Sequence, residues 1–201
     1  KITLREAVAR AASWGTVTFD QRLDGARIDL SIVGANDSVL QGEVFTMNAG
    51  KWEFQGYQER NYGKSALYVD RPLTIDASSL PHGITLAWAG GDASHARVLA
   101  VYGDLAMNKV TVTGGYSAAD PLNAADYPSQ PYTLARGGGI AVWGTATLTD
   151  CVLSGNRTVG DSSGSRDRGS FGGGIYADTV ILTDCIVSGN SVLGAGAAGG
   201  G

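Results

Sequence analysis

The chain has 201 residues, 43% of them hydrophobic and 17% charged, with 30 glycines and a formal net charge of −4. A mildly acidic, charge-poor chain offers no basic patch to a nucleic acid or an anionic membrane, and no apolar run reaches the ~20 residues of a membrane-spanning helix. Glycine at about twice its usual ~7%, without a G-X-Y period, excludes collagen, and the length suits a single domain with its own core.

The first predicted element is a helix. Thr3 and Glu6 have the spacing of a capping box, and Ile2 stands where it could staple onto Ala7. Leu4, Ala7, Val8, Ala11 and Ala12 recur at helical spacing, with Arg5, Glu6 and Arg10 on the opposite face. Gly15 is the predicted stop, so the amphipathic helix is expected within residues 1–15. Thr16–Phe19 then reads as a strand. A helix ahead of the first strand of a stack would cover strand edges that otherwise invite aggregation.

Residues 42–64 interrupt the strand order and concentrate aromatic side chains. Trp52, Phe54, Tyr57 and Tyr62 are candidate ligand-binding residues there, because exposed aromatic rings stack on sugars or anchor protein interfaces. The structural alternative is a β-hairpin that packs its own aromatics. Short apolar alternations follow at Ala66–Val69, Leu73–Ile75, Ile84–Leu86 and Val98–Val101. Turn residues separate them at Asp70–Pro72, Ser78–Pro81, Ala89–Gly91 and Tyr102–Asp104.

Beyond residue 97 the chain repeats itself. Arg136–Asn156 and Phe171–Asn190 are nearly the same sentence, with Asp150 and Asp184, Cys151 and Cys185, and Asn156 and Asn190 each 34 residues apart. A weaker copy, Met107–Gly115, aligns with Leu148–Asn156 at a spacing of 41, which sets Val110 opposite Cys151 and Val112 opposite Leu153. Unequal spacing with constant strands means that the rungs are fixed and the connections vary. One such strand cannot bury its apolar face alone, but stacking equivalent strands can, so each copy reads as one coil of a parallel β-helix. Cys151, Cys185, Asn156 and Asn190 are then structural ladder residues, the amides satisfying backbone groups at the turn. The stacked cysteines, ~4.8 Å apart, are within disulfide range, although parallel side chains disfavour the dihedral angle; a bond and a pair of buried thiols both remain open.

Asp150 and Asp184 neighbour inward cysteines, so both carboxylates are expected to face out, one coil apart. They are the candidate catalytic residues, as an acid/base pair. The alternative is a turn carboxylate that accepts backbone N–H bonds and recurs because the coil recurs. No basic residue is read at an equivalent rung position. In the polar stretch Arg157–Arg168, Arg166 and Arg168 are candidate ligands for an acidic sugar, or parts of a solvated bulge. His82 and His95 lack metal-ligand spacing, no metal site is predicted, and no nucleophile elbow, phosphate loop or zinc-protease motif occurs.

At this point the residues fit a known pattern. The stretch ITLREAVARAAS with the following GTVTFD resembles the SLREAI-type (CSLREA) segment of large bacterial extracellular proteins, with Lys1-Ile2-Thr3-Leu4 replacing the usual Cys-Ser-Leu. The stretch GGGIAVWGTATLTDCVLSGN is similar to the coils of polymorphic outer-membrane proteins and autotransporter passengers. This resemblance implies an all-β, right-handed parallel β-helix solenoid with an N-terminal capping helix, as one domain over 1–201 with its clearest coils at 97–201. It implies a bacterial extracellular or cell-surface location and a non-enzymatic scaffold or adhesin, with polysaccharide or a cell-surface protein as partner. No cofactor is implied. The alternative is a secreted polysaccharide lyase or glycoside hydrolase built on the stacked aspartates, where Ca²⁺ is the cation such a face would hold. The glycine-rich Gly194–Gly201 reads as the start of a further coil, so the chain is expected to be a piece of a longer protein.

Overall fold

The computed structural model describes residues 2–34, 39–48, 51–61, 63–119, 134–160, 170–194 and 197–200, with the side chains of 39–48 and 52–61 outside that description. The fold is mostly β, built from parallel sheets in a repeat-like order. Helix α1 (Leu4–Arg10) leads into β1 (Gly15–Thr18) and β2 (Arg27–Leu30). A hairpin of β3 (Val39–Asn48) and β4 (Lys51–Asn61) follows. The chain then passes through β5 (Ser65–Val69), β6 (Leu73–Asp76) and β7 (Ile84–Trp88). A third pass gives β8 (Arg97–Val101), β9 (Leu105–Asn108), β10 (Val110–Thr113) and β11 (Tyr116–Ala118). A fourth gives β12 (Ile140–Thr149), β13 (Val152–Ser154) and β14 (Arg157–Val159), and a fifth gives β15 (Ile175–Thr183), β16 (Ile186–Ser188) and β17 (Ser191–Leu193).

Equivalent strands of successive passes pair in parallel. One sheet runs β1-β6-β9-β12-β8-β5, with β15 on the other side of β12. The long β12 pairs with β8 through its first half and with β9 through its second. A second sheet runs β16-β13-β10-β7-β2, and a third β11-β14-β17. Met107, Leu148 and Leu182 are register partners, and so are Val112, Leu153 and Val187. The spacings of 41 and 34 residues read from the sequence are therefore the strand registers.

Stacking puts like on like inside. Leu67, Leu99 and Ile140 form one fully buried column, Ile75, Met107 and Leu148 another, and Leu86, Val112 and Leu153 a third. Each such side chain contributes about 1.5–3 kcal/mol by leaving water. Among the described residues the strands β15–β17 pair on one side only, so Val180 and Leu182 are exposed where their partners Ala146 and Leu148 are buried.

The helix has its predicted capping box: Glu6 N–H donates to Thr3 Oγ1, and Thr3 N–H to the Glu6 carboxylate. Val8 is buried, and Leu4, Ala7 and Ala11 pack on the core. The predicted end is corrected. The helix stops after Arg10, with Ala11 already extended, instead of running to Gly15. Arg71 explains the early stop, donating to the carbonyls of Val8, Ala9 and Ala11. It satisfies the last turn and places a positive charge at the negative end of the helix. The insertion is an antiparallel hairpin spanning Val39–Asn61, with a register shift between Val44 and Phe45, and so begins before residue 42.

Candidate functional site

One corner of the stack is built the same way in every pass. Gly25, Gly83, Lys109, Asp150 and Asp184 all have φ between 52° and 68°. Backbone hydrogen bonds connect them along the stack: Gly25 N–H to Gly83 O (2.9 Å), Lys109 N–H to Thr149 O (2.9 Å) and Asp150 N–H to Thr183 O (3.0 Å). A left-handed residue suits glycine, and Asp or Asn next best. That conformational demand is one sufficient reason for the recurring aspartate, and it differs from the acceptor role read from the sequence.

Asp150 and Asp184 are both exposed, one pass apart. The reading that no basic residue shares their position is corrected, because Lys109 occupies the same corner in the preceding pass. The alignment of Met107–Gly115 with Leu148–Asn156 already placed Lys109 opposite Asp150. At the same corner one pass below Lys109, His82 is engaged with the first pass. Its backbone N–H donates to Asp24 Oδ1 (2.7 Å), and its Nδ1 lies 2.7 Å from Asp24 Oδ2. The hydrogen bond from the imidazole, then that from the backbone, holds the Asp24 carboxyl below its ordinary range, with a smaller contribution from the Lys109 charge. The row thus carries both signs of charge: Asp24 with His82, then Lys109, then two carboxylates.

A depressed carboxyl stabilises the folded state above its unfolded pKa, and that contribution is lost as pH falls through the lowered folded value. Asp24→Asn should therefore flatten the pH dependence of the urea midpoint on the acid side of pH 4, relative to wild type. An unchanged acid limb would show that the dyad does not couple to folding.

The ladders lie on the inner side. The Asn156 amide accepts from Gly115 N–H (2.9 Å) and donates to Val112 O and to Asn190 Oδ1 (both 3.0 Å). Asn190 Oδ1 also accepts from Asn156 N–H, and Asn190 Nδ2 donates to Leu153 O (2.8 Å). Cys151 and Cys185 are free thiols. Cys151 N–H points to Cys185 Sγ at 3.4 Å, and burial pushes the Cys151 thiol up to about 11.

The backbone of Trp52, Phe54 and Tyr57 lies in β4, and their side chains, together with Tyr62, Arg166 and Arg168, lie outside the described residues. Gly63, at the foot of the hairpin, lies beside Ala118 and Ser117, where the third pass ends. Ala119 and Gly160 are the equivalent exits before 120–133 and 161–169, each bonded to the next pass. The re-entry points pair as Arg136 and Phe171. Arg136 lies over the rings of Phe171 (5.0 Å) and Tyr176 (4.6 Å), and Arg157 over Tyr116 (4.9 Å). Half-buried cation–π pairs of this kind contribute about 0.5–2 kcal/mol. Sequence reading missed these pairs because the partners belong to different coils.

Among the described residues, no group of three or more His, Cys, Asp or Glu is arranged to hold a metal ion. No described helix is long and apolar enough to cross a membrane. Comparison with family models, curated proteins and solved structures returned no match.

Proposed function

We propose that the stack is a right-handed parallel β-helix and that it serves as a non-enzymatic, extracellular or cell-surface scaffold that binds glycans or proteins. The handedness follows from the strong rule for parallel crossovers. The location rests on the resemblance of the capping segment and coils to bacterial surface proteins. One observation carries the binding role: the described residues that flank the hairpin and the connections 120–133 and 161–169 lie on one side of the stack, next to one another. Constant rungs with variable excursions on one side make a display edge, as in other repeat architectures. The hairpin carries Trp52, Phe54 and Tyr57 in its sequence, and the connection 161–169 carries Arg166 and Arg168 in its own.

The test is binding of immobilised glycans and of cell-surface protein extracts resolved into identified components, with wild type beside a Trp52→Ala/Phe54→Ala variant and a variant whose residues 39–61 are replaced by a short turn. At least a tenfold loss of affinity for an identified ligand in both variants is expected. Binding of no glycan and no protein by the wild type would sink the scaffold reading.

The corner row favours a second reading. Lys109 beside Asp150 and Asp184 gives a positive group and two carboxylates on one stacked face, the minimum for a polysaccharide lyase or hydrolase. Depolymerisation of a polysaccharide by the wild type, abolished in Asp150→Asn and Lys109→Ala, would replace the scaffold with an enzyme. Asn is the substitution of choice at 150 because it tolerates the left-handed backbone.

A further inference from the structure

A second corner carries a row of aromatic and acidic side chains that the loops do not supply. Asp70, Tyr102 and Trp143 each follow directly on register partners, Val69, Val101 and Val142. Asp178 stands opposite the register shift between Val142 and Thr145 in the next pass. At the strand spacing of ~4.8 Å this row is about 14 Å long, the scale of a short oligosaccharide. Tyr102 is 47% exposed, Trp143 is half-buried, and Asp70 and Asp178 are exposed.

Trp14 extends the row toward the helix. Its N–H donates to Pro72 O (2.8 Å), in the turn that contains Asp70 and Arg71. Its side chain is 69% exposed, and its φ is 62°. A bulky aromatic residue in the left-handed region is strained, and an exposed one recovers little burial energy in return. A glycine would serve that turn better. Strain kept for an exposed indole is the mark of a side chain held out for contact. Arg71 fixes the turn from below, because its guanidinium is committed to the end of α1 and to Asp70.

We infer that Trp14, Tyr102 and Trp143, with Asp70 and Asp178, form a binding ridge for a neutral glycan lying along the stack. Flat aromatic faces pack against the C–H faces of pyranose rings, and carboxylates accept from sugar hydroxyls. The exposed Asp178 argues against an apolar peptide and would repel a polyuronate, whereas the Asp70 charge is met by Arg71. One sugar residue and one coil are of similar length, so a chain laid along the axis meets an equivalent position at each step. The inference deepens the scaffold reading and rests on it for the class of partner, but it moves the glycan from the display edge to the coil body.

Calorimetry with the full chain and neutral hexasaccharides of β-1,4-linked glucose, β-1,4-linked mannose and α-1,4-linked glucose tests it, with oligogalacturonate as the acidic comparison. At least one neutral hexasaccharide should bind, with Trp fluorescence changing on titration, and oligogalacturonate should bind more weakly. Affinity should fall at least tenfold in Trp14→Gly and in Tyr102→Ala. Trp14→Gly should melt no lower than wild type, because it relieves the backbone. That melting point separates lost contact from lost fold, and Tyr102→Ala gives an independent reading at an unstrained position. Neutral glycan binding that survives both ridge substitutions overturns the ridge; if it is lost instead with Trp52 and Phe54, the scaffold reading stands. Preference for oligogalacturonate, or failure of every neutral hexasaccharide to bind, also overturns the ridge, and the protein-binding assay above then decides the scaffold separately.

Discussion

Asn156→Ala is expected to lower the unfolding free energy by about 3–5 kcal/mol, read from urea denaturation. The side chain is 1% exposed and its amide bonds to three groups in two neighbouring passes. Alanine would take from the buried Gly115 N–H the acceptor it has, at about 1–3 kcal/mol, and would remove the amide's bonds to Val112 O and Asn190 as well. No water can readily replace them inside a packed coil. Asn156→Asp should be at least as damaging. It keeps an acceptor for Gly115, but it puts a carboxylate oxygen against Val112 O and Asn190 Oδ1, where the amide had donated. Asn190→Ala should cost less, because Asn190 is 8% exposed and solvent can reach part of its site. A loss below about 1 kcal/mol for Asn156→Ala would mean that the ladder is incidental to the stack.

Gly138→Ala is expected to prevent folding, or to cost more than about 4 kcal/mol. A Cβ there would lie 2.4 Å from Arg157 O and 2.4 Å from Gly173 O. Both are backbone atoms, so no side-chain rotation relieves the clash. Neither can retreat, because Gly138 N–H is bonded to Gly172 O (3.0 Å) and Arg157 N–H to Gly115 O (2.8 Å). The two passes would have to separate at the corner where the chain re-enters the first sheet. Gly91→Ala supplies the comparison. It has a φ of 74° with nothing within 4 Å, so it should cost only the left-handed backbone term of about 1–2 kcal/mol. Equal effects at the two sites, in folded yield and melting temperature, would show that close approach of the coils is not what the triple glycine serves.

The glycan ridge and the corner row bear differently on function, and they are separable by substitution. The row of Lys109, Asp150 and Asp184 would have to cleave a chain to matter as a catalyst. The ridge of Trp14, Tyr102 and Trp143 needs only to hold one.

Much of the fold was legible because its information is local or repeated. Thr3 and Glu6 are three residues apart and announce a helix start by themselves. The strand registers were legible because stacking places identical environments one above another, so Cys151 and Cys185, or Asn156 and Asn190, face the same demand and keep the same residue. Where coils differ in wording, that cue fades. The Asp24–His82 pair joins residues 58 apart across a long insertion, in coils that share a register but little sequence. Lys109 stood in alignment with Asp150, yet its different charge hid the match, which the strand register and the shared left-handed backbone make plain.

By itself, then, the sequence determined the capping box, the repeating strands, the glycine-rich corners and the inward ladders, since each follows from short-range chemistry or from periodicity. Only the tertiary structure decided where the helix ends, which side of the stack the excursions leave from, and which side chains of separate coils meet. The helix end depends on Arg71, about sixty residues further along the chain. The ridge depends on Trp14, Tyr102 and Trp143 reaching one corner from three different passes. These are long-range contacts set by the rise of one coil upon another, and no local rule carries them.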